Sequence, residues 1–247
     1  MIDQKILYTF SDNTYQVIEF KSLSGRKMHG LISNNAIQSI TPTDDKKYDL
    51  FAEYFYLYDL PLIINKNIKN SLVLGGGCFS YPKYYICNHQ NKYMDCVEIN
   101  KEMIEVALDY FFLNDLFNEY DPKKERLNIY NEDAKDYIKN CNKQYDYILL
   151  DIFKDNEPIE YFLTKQFTKK INNILTQNGI YSINYIVNIN QEKKFYNFIE
   201  TLKNTFKFVY ILTTKNMYNN NHGNVYIICS NSEIVIPEDK KIIKINI

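Results

Sequence analysis

Three carboxylates and a row of glycines mark where this chain could do chemistry. Gly75, Gly76 and Gly77 are three of its seven glycines, and they follow the apolar run Leu72-Val73-Leu74. Glu98 follows "YMDCV", Asp133 follows "RLNIYNE", and Asp151 ends "YDYILLD". A glycine row in a glycine-poor chain points to backbone that passes very close to a ligand. Glu98 lies 23 residues after Gly75, near the spacing at which an acid meets ribose hydroxyls in strand-helix-strand nucleotide sites. A carboxylate there can accept both hydroxyl hydrogens. Ser80 stands where a dinucleotide fingerprint wants its third glycine, and no GK[ST] follows, so the pattern is neither a good NAD site nor a P-loop. An adenosine ligand without a pyrophosphate fits better. S-adenosylmethionine and its decarboxylated form carry ribose and adenine but no phosphates, so acids can line the whole site.

Each residue has a plainer reading when taken alone. Three glycines can be a generic strand-to-helix turn. Glu98 can be a charge leading a helix that Asn100 and Glu102 also suit, and Asp133 can be the N-cap of "AKDYIKN". Asp151 is harder to dismiss, because the apolar residues around it indicate a largely buried strand end, and a carboxylate is costly to bury without a purpose.

The elements that must position these residues follow from periodicity. Residues 1–44 read as a small β domain of short runs, "KILYTF", "TYQVIEF", "KMHGLIS" and "NAIQSI", separated by "SDN", "SLSGR" and "SNN" turns. From residue 45 to 247 the rhythm changes. A helix is expected over "YDLFAEYFYLYDLPLII", stopping near Pro61, and strand-helix alternations follow from "SLVLG" to "EKKFYNFIETLKN". The long amphipathic run "KEMIEVALDYFFL" is expected as one helix. The fold class is therefore α/β, a mostly parallel sheet with helices on both faces. "KFVYILTT" and "NVYIICS" close the series as an antiparallel hairpin expected at the sheet edge. Ligands of such sheets sit at the carboxyl ends of the strands, which is where the glycines and the three acids fall.

Composition narrows the partners. With 29 basic and 30 acidic residues the formal charge is -1, so nothing calls for nucleic acid or an anionic membrane. No stretch reaches the roughly 18 apolar residues that span a bilayer, and "MIDQKILYTFSDN" is too polar for a signal peptide. Cys78, Cys87, Cys96, Cys141 and Cys229 include no CxxC pair, and the three histidines form no ligand-like pair. No metal site is expected, and the cysteine pattern fits a reducing cytoplasm.

The motifs together resemble the spermidine synthase family of aminopropyltransferases. "VLGGG", the acid of "VEIN", the acid of "NED" and "YDYILLD" come in that family's order and spacing. The likeness is greatest to the divergent spermidine synthase-like branch, where an aromatic, a small residue and proline follow the glycines, as in "GGGCFSYPKY". It also takes in "AIQS", "EYFYLYDL", "PIEYFLTKQF" and "GNVYIICS", nearly the whole chain. The resemblance implies a class I methyltransferase-like (Rossmann-type) sheet behind a small β domain, a homodimer or higher oligomer, and no metal. It further implies transfer of an aminopropyl group from decarboxylated S-adenosylmethionine to a small-molecule amine, in polyamine biosynthesis.

Carried over by residue, Gly75, Gly76 and Gly77 would line the sulfonium side of the nucleoside. Glu98 would hold the ribose and Asp133 would face the adenine amino group. Gln38 would reach the donor. Tyr54, with Tyr48 as the rival choice, would help hold the amine, and Asp151 would be its base and anchor. The chain departs from the family pattern twice. Cys78 stands where the family aspartate binds the ammonium of the aminopropyl tail, and Lys154 stands where the second loop aspartate would fall. Asp155, Glu157 and Glu160 are candidates to replace that charge at the substrate, with a solvated loop as the plainer reading. Two other functions use the same residues: an S-adenosylmethionine-dependent methyltransferase, and a non-catalytic nucleoside-binding protein of this fold.

Overall fold

The computed structural model describes all residues except 1–3, 35, 52–53, 155–156, 216, 220–221 and 246–247. Strands β1 (Gln4–Thr9), β2 (Gln16–Lys21), β3 (Lys27–Ser33) and β4 (Ala36–Pro42) pair antiparallel in sequence order. The turns between them place Asn13, Gly25 and Asn34 at positive φ, which these residue types tolerate. This sheet meets the rest of the chain through Phe10, Val17 and Leu31, which pack with Cys78, Met103, Val106 and Phe111.

The helix expected up to Pro61 is two short ones, α1 (Phe55–Tyr58) and α2 (Leu60–Ile64). A continuous helix would lack the hydrogen bond from residue 61 to the Leu57 carbonyl. The chain breaks at Asp59 instead, and Pro61 falls in the first turn of α2, where its missing N–H costs nothing.

The main sheet begins with β5 (Asn70–Leu74), α3 (Ser80–Asn88), β6 (Tyr93–Val97), α4 (Lys101–Tyr110), α5 (Leu113–Tyr120), β7 (Leu127–Tyr130), α6 (Ala134–Asn140) and β8 (Tyr145–Leu150). A two-residue hairpin, β9 (Phe153–Lys154) and β10 (Glu157–Pro158), leads to α7 (Lys165–Ile174), β11 (Leu175–Val187) and α8 (Glu192–Lys203). The chain ends with β12 (Phe208–Thr213), β13 (Tyr218–Asn219), β14 (His222–Ser230) and β15 (Ile243–Ile245). The strand order is β15-β12-β14-β11-β8-β5-β6-β7, with β13 paired to β14. Pairs from β7 through β11 are parallel, and β14 runs antiparallel to both of its long neighbours.

Side chains alternate between the two faces, as period two requires. Leu72, Leu74, Ile148 and Leu150 pack with residues of α6, α7 and α8, while Val73, Tyr147 and Leu149 pack with residues of α1 to α5. Among the described residues, no helix is long and apolar enough to cross a membrane.

Two details differ from the sequence expectation. The run "KEMIEVALDYFFL" breaks between α4 and α5, because Phe111 and Leu113 are both drawn fully into the core and Phe112 takes a left-handed φ of 61°. The closing pair is antiparallel as expected, but it does not form the edge: β14 lies between β11 and β12, and β15 flanks β12 on the outside. Burial explains the order: Val225 to Ser230 are all buried, as a central strand must be, whereas Phe208 to Tyr210 are only half-buried.

Candidate functional site

Strand β5 lies between β6 and β8, so chain connections leave its carboxyl end in opposite directions and open a crevice there. The glycine turn forms its floor, and the reason for each glycine differs. At Gly75, with φ +97°, a Cβ would come 2.3 Å from the Asp151 carbonyl oxygen. At Gly76 it would come 2.8 Å from the Phe79 ring and 3.1 Å from Cys96 Sγ. At Gly77, with φ +50°, it would meet open space. The protein's own packing therefore requires the first two glycines, and backbone conformation requires the third. The open space at Gly77 belongs to the crevice.

Glu98 follows β6 and is 9% exposed. Its Oε2 accepts the Gly76 and Gly77 amides at 3.0 and 2.9 Å, and its Oε1 accepts the Asn100 amide at 2.9 Å. Each carboxylate oxygen has about two acceptor sites, so Oε2 is filled and Oε1 retains one. That leaves room for one hydroxyl, not both. Asp133 is the N-cap of α6, with its Oδ1 accepting the Lys135 amide at 2.8 Å, and it also faces the crevice. Its capping and lining positions coexist.

Asp151 follows β8, its backbone amide bound to the Leu74 carbonyl at 2.9 Å. The residue keeps a little surface on the crevice while its carboxylate is enclosed by protein. Burial pushes this carboxyl above its ordinary range, opposed by hydrogen bonding from Asn184. Asn184 Nδ2 donates to Asp151 Oδ1 at 2.9 Å. The Tyr58 hydroxyl, fully buried on α1, faces Asp151 without reaching hydrogen-bond geometry. The Tyr54 hydroxyl is pushed up by burial and by the nearby Asp151 charge. Cys78, one residue past the glycines, is buried beside Met103, and burial pushes its thiol up to about 12, so it stays uncharged.

These residues surround one cavity of about 740 Å³. Gln38, Tyr54, Gly75, Gly77, Glu98, Asp133 and Asp151 all line it. A recess of about 100 Å³ beside it is lined by all three glycines, Gln38, Tyr54, Tyr58, Cys78 and Asp151. Tyr48 is elsewhere, its hydroxyl donating to Glu119 at 3.0 Å; of the two rival tyrosines Tyr54 lines the cavity, as does Tyr15. Glu160 is also outside it, exposed and 3.9 Å from Lys194. Asp155 lies outside the described residues, and Glu157 is described only through its backbone pairing with Lys154. Among the described residues, no three His, Cys, Asp or Glu side chains converge as a metal would need.

The sequence reading passed over Asn184 and Asn224, both of which line the cavity. The available signal was an amide inside the apolar run "GIYSINYIV", where a buried polar group needs a partner.

The spermine/spermidine synthase domain, as a family profile, matches residues 50–239. A polyamine aminopropyltransferase of Alkaliphilus metalliredigens is 31% identical over 134 residues, covering 53% of this chain and 45% of that protein. The chain spans about half the length of the curated relatives that it matches. The spermidine synthase of Thermotoga maritima superposes with a TM-score of 0.68 at 16% identity, covering 92% of this chain and 73% of that one. Human methyltransferase-like protein 13, in complex with SAH, superposes with a TM-score of 0.58 at 24% identity, covering 73% of this chain and 82% of that one.

Proposed function

This chain belongs to the spermine/spermidine synthase family, and from that premise we propose that it transfers an aminopropyl group from decarboxylated S-adenosylmethionine to a small amine. One observation carries the reading: Gln38, Tyr54, Glu98, Asp133 and Asp151, from five separate segments, converge on one cavity at the carboxyl ends of β5 to β8. Glu98 takes one ribose hydroxyl on its open acceptor site, Asp133 faces the adenine amino group, and Gly75 to Gly77 with Gln38 flank the sulfonium side. Tyr54 and Asp151 receive the amine. Asp155 and Glu157, which follow β8 in the sequence, add negative charge for a second ammonium.

The chemistry needs position and a free amine. A primary alkylammonium has a pKa of about 10, judged from lysine, and is mostly protonated at neutral pH. A carboxylate raised by burial is a better proton acceptor than an exposed one. The ammonium gives its proton to Asp151, and the freed nitrogen lone pair forms a bond to the carbon beside the sulfonium. The carbon–sulfur bond breaks with its electron pair going to sulfur. The products are an aminopropylated amine and neutral 5′-methylthioadenosine. Holding both reactants in line supplies most of the acceleration such a displacement needs.

Cys78 favours one second reading. A neutral thiol gives a donor's ammonium tail no counter-charge, so methyl transfer from S-adenosylmethionine is the alternative use of this site, and nucleoside binding without turnover is the third. Calorimetry of the full chain with both donors and with 5′-methylthioadenosine tests the proposal. Tighter binding of the decarboxylated donor than of S-adenosylmethionine supports it, and the reverse order favours methyl transfer. We further assign the chain to the cytoplasm, as a homodimer with a small β domain over 1–44 and the nucleoside-binding domain over 45–247. Its uncombined cysteines and the half-buried aromatic residues of the N-terminal strands support that assignment.

A further inference from the structure

Three polar side chains stand side by side across the carboxyl ends of β8 and β11 and the amino end of the antiparallel β14. Asp151 directly follows β8, and Asn184 lies on β11 one step past the Ile183–Leu150 pair. Asn224 on β14 is paired with Ile186, and so stands diagonal to Asn184. The Asn224 amide donates to Asn184 Oδ1 at 3.0 Å, and the Asn184 amide donates to Asp151 Oδ1 at 2.9 Å.

An asparagine side chain can turn over and present its oxygen where its N–H group was. If Asn184 did so, its oxygen would meet the carboxylate and its N–H group would meet that of Asn224. Both contacts would become repulsive. The outer amide therefore gives the inner one a single sense.

Packing does not account for Asn184. Asn184 is 7% exposed between Ile183 and Tyr185, at a position where an aliphatic side chain would fill the same space without a polar group to satisfy.

We propose that Asn184 is a positioning residue that holds the Asp151 carboxylate for the proton it takes from the amine, and that Asn224 acts through Asn184 by fixing the direction of its amide. This rests on Asp151 being the base of the proposed reaction. The other ionisable groups facing Asp151 are Tyr54 and Tyr58 from α1, Tyr226 from β14 and Cys96 from β6, and burial pushes every one of them up. All four stay neutral through the acid range; the carboxylates that share the cavity with Asp151 are Glu98 and Asp133. The Asn184 amide works against burial and holds the carboxyl lower than burial alone would.

The experiment is a carbon-13 NMR titration of the Asp151 carboxyl in the full chain, together with the pH profile of turnover. Asn184→Leu should move the carboxyl midpoint up by about one to two pH units, the size set by losing one hydrogen bond to a charged group. Asn224→Leu should move it the same way by less. The acid limb of kcat should follow in both variants while donor affinity stays put. An unchanged midpoint in folded Asn184→Leu overturns the proposal, as does a lower melting temperature in both variants with no change in midpoint. If Asn184→Leu does not fold, Asn224→Leu decides alone, and an unshifted midpoint there overturns the relay. A wild-type chain that turns over no amine sinks the aminopropyl reading instead, and the titration still decides the relay.

Discussion

Asp151→Asn separates a catalytic carboxylate from a structural one, because the substitution keeps the shape and removes the charge. Burial makes this carboxyl harder to ionise in the folded chain than in the unfolded one. The native state therefore holds its proton to higher pH, and stability falls as pH rises through the folded midpoint. The favourable side of this linkage is fully present below the unfolded carboxyl pKa of about 3.9 and is lost as pH rises through the folded midpoint, with about 1.4 kcal/mol for each tenfold change in the ionisation equilibrium. Asparagine carries no such penalty. What it gives up is charge assistance in the bond from Asn184, a drop from about 1.5–3 to about 0.5–1.5 kcal/mol.

The two effects oppose each other, so the variant should stay within about 1 kcal/mol of wild type at pH 7. That corresponds to a melting temperature no more than about 2–4 °C lower in a chain of this size. Turnover should fall by about 10²-fold or more, the low end for losing a general base, with donor affinity nearly unchanged. A thermal melt, a donor titration and a single-turnover assay read all three. A stable variant that transfers at the wild-type rate refutes the mechanism, and a variant that melts far lower and loses the nucleoside makes Asp151 structural.

Glu98→Ala should weaken 5′-methylthioadenosine binding by about 1.5–3 kcal/mol, one hydrogen bond to a charged group. Calorimetry with unchanged affinity would remove Glu98 from the site. Gly75→Ala puts a Cβ 2.3 Å from the Asp151 carbonyl oxygen at φ +97°, and strain plus overpacking should cost about 2–6 kcal/mol. Gly77→Ala meets open space and should cost only about 1–2 kcal/mol; equal losses in urea melts would contradict this account of the turn. Cys78→Asp should improve the ratio of decarboxylated to carboxylated donor affinity by about tenfold, the value of about 1.4 kcal/mol. A ratio that moves the other way in competition binding would place the tail elsewhere.

Local pattern carried most of the architecture. The four N-terminal strands, the parallel sheet and the acids at its strand ends follow from short-range alternation and spacing. Long-range packing decided what was missed. Nothing in "DYFFL" announces that Phe112 turns left-handed, because the cause is the burial of Phe111 and Leu113 against distant residues. The glycine row was visible, but the packing reason at Gly75, the Asp151 backbone lying against it, belongs to the neighbouring strand. Tyr48 and Tyr54 could not be told apart by spacing; Glu119, 71 residues away from Tyr48, holds it off the cavity. Asn184 and Asn224 read as ordinary strand residues until the register of β11 and β14 places them beside Asp151.

The central claim is the identity of the group transferred, and mass spectrometry of the products tests it most directly. The full chain would be incubated with decarboxylated S-adenosylmethionine, and separately with S-adenosylmethionine, against pooled small amines. The account predicts 5′-methylthioadenosine and an amine heavier by one aminopropyl unit, from the decarboxylated donor alone. A methylated product formed with S-adenosylmethionine, or no product from either donor, would contradict it.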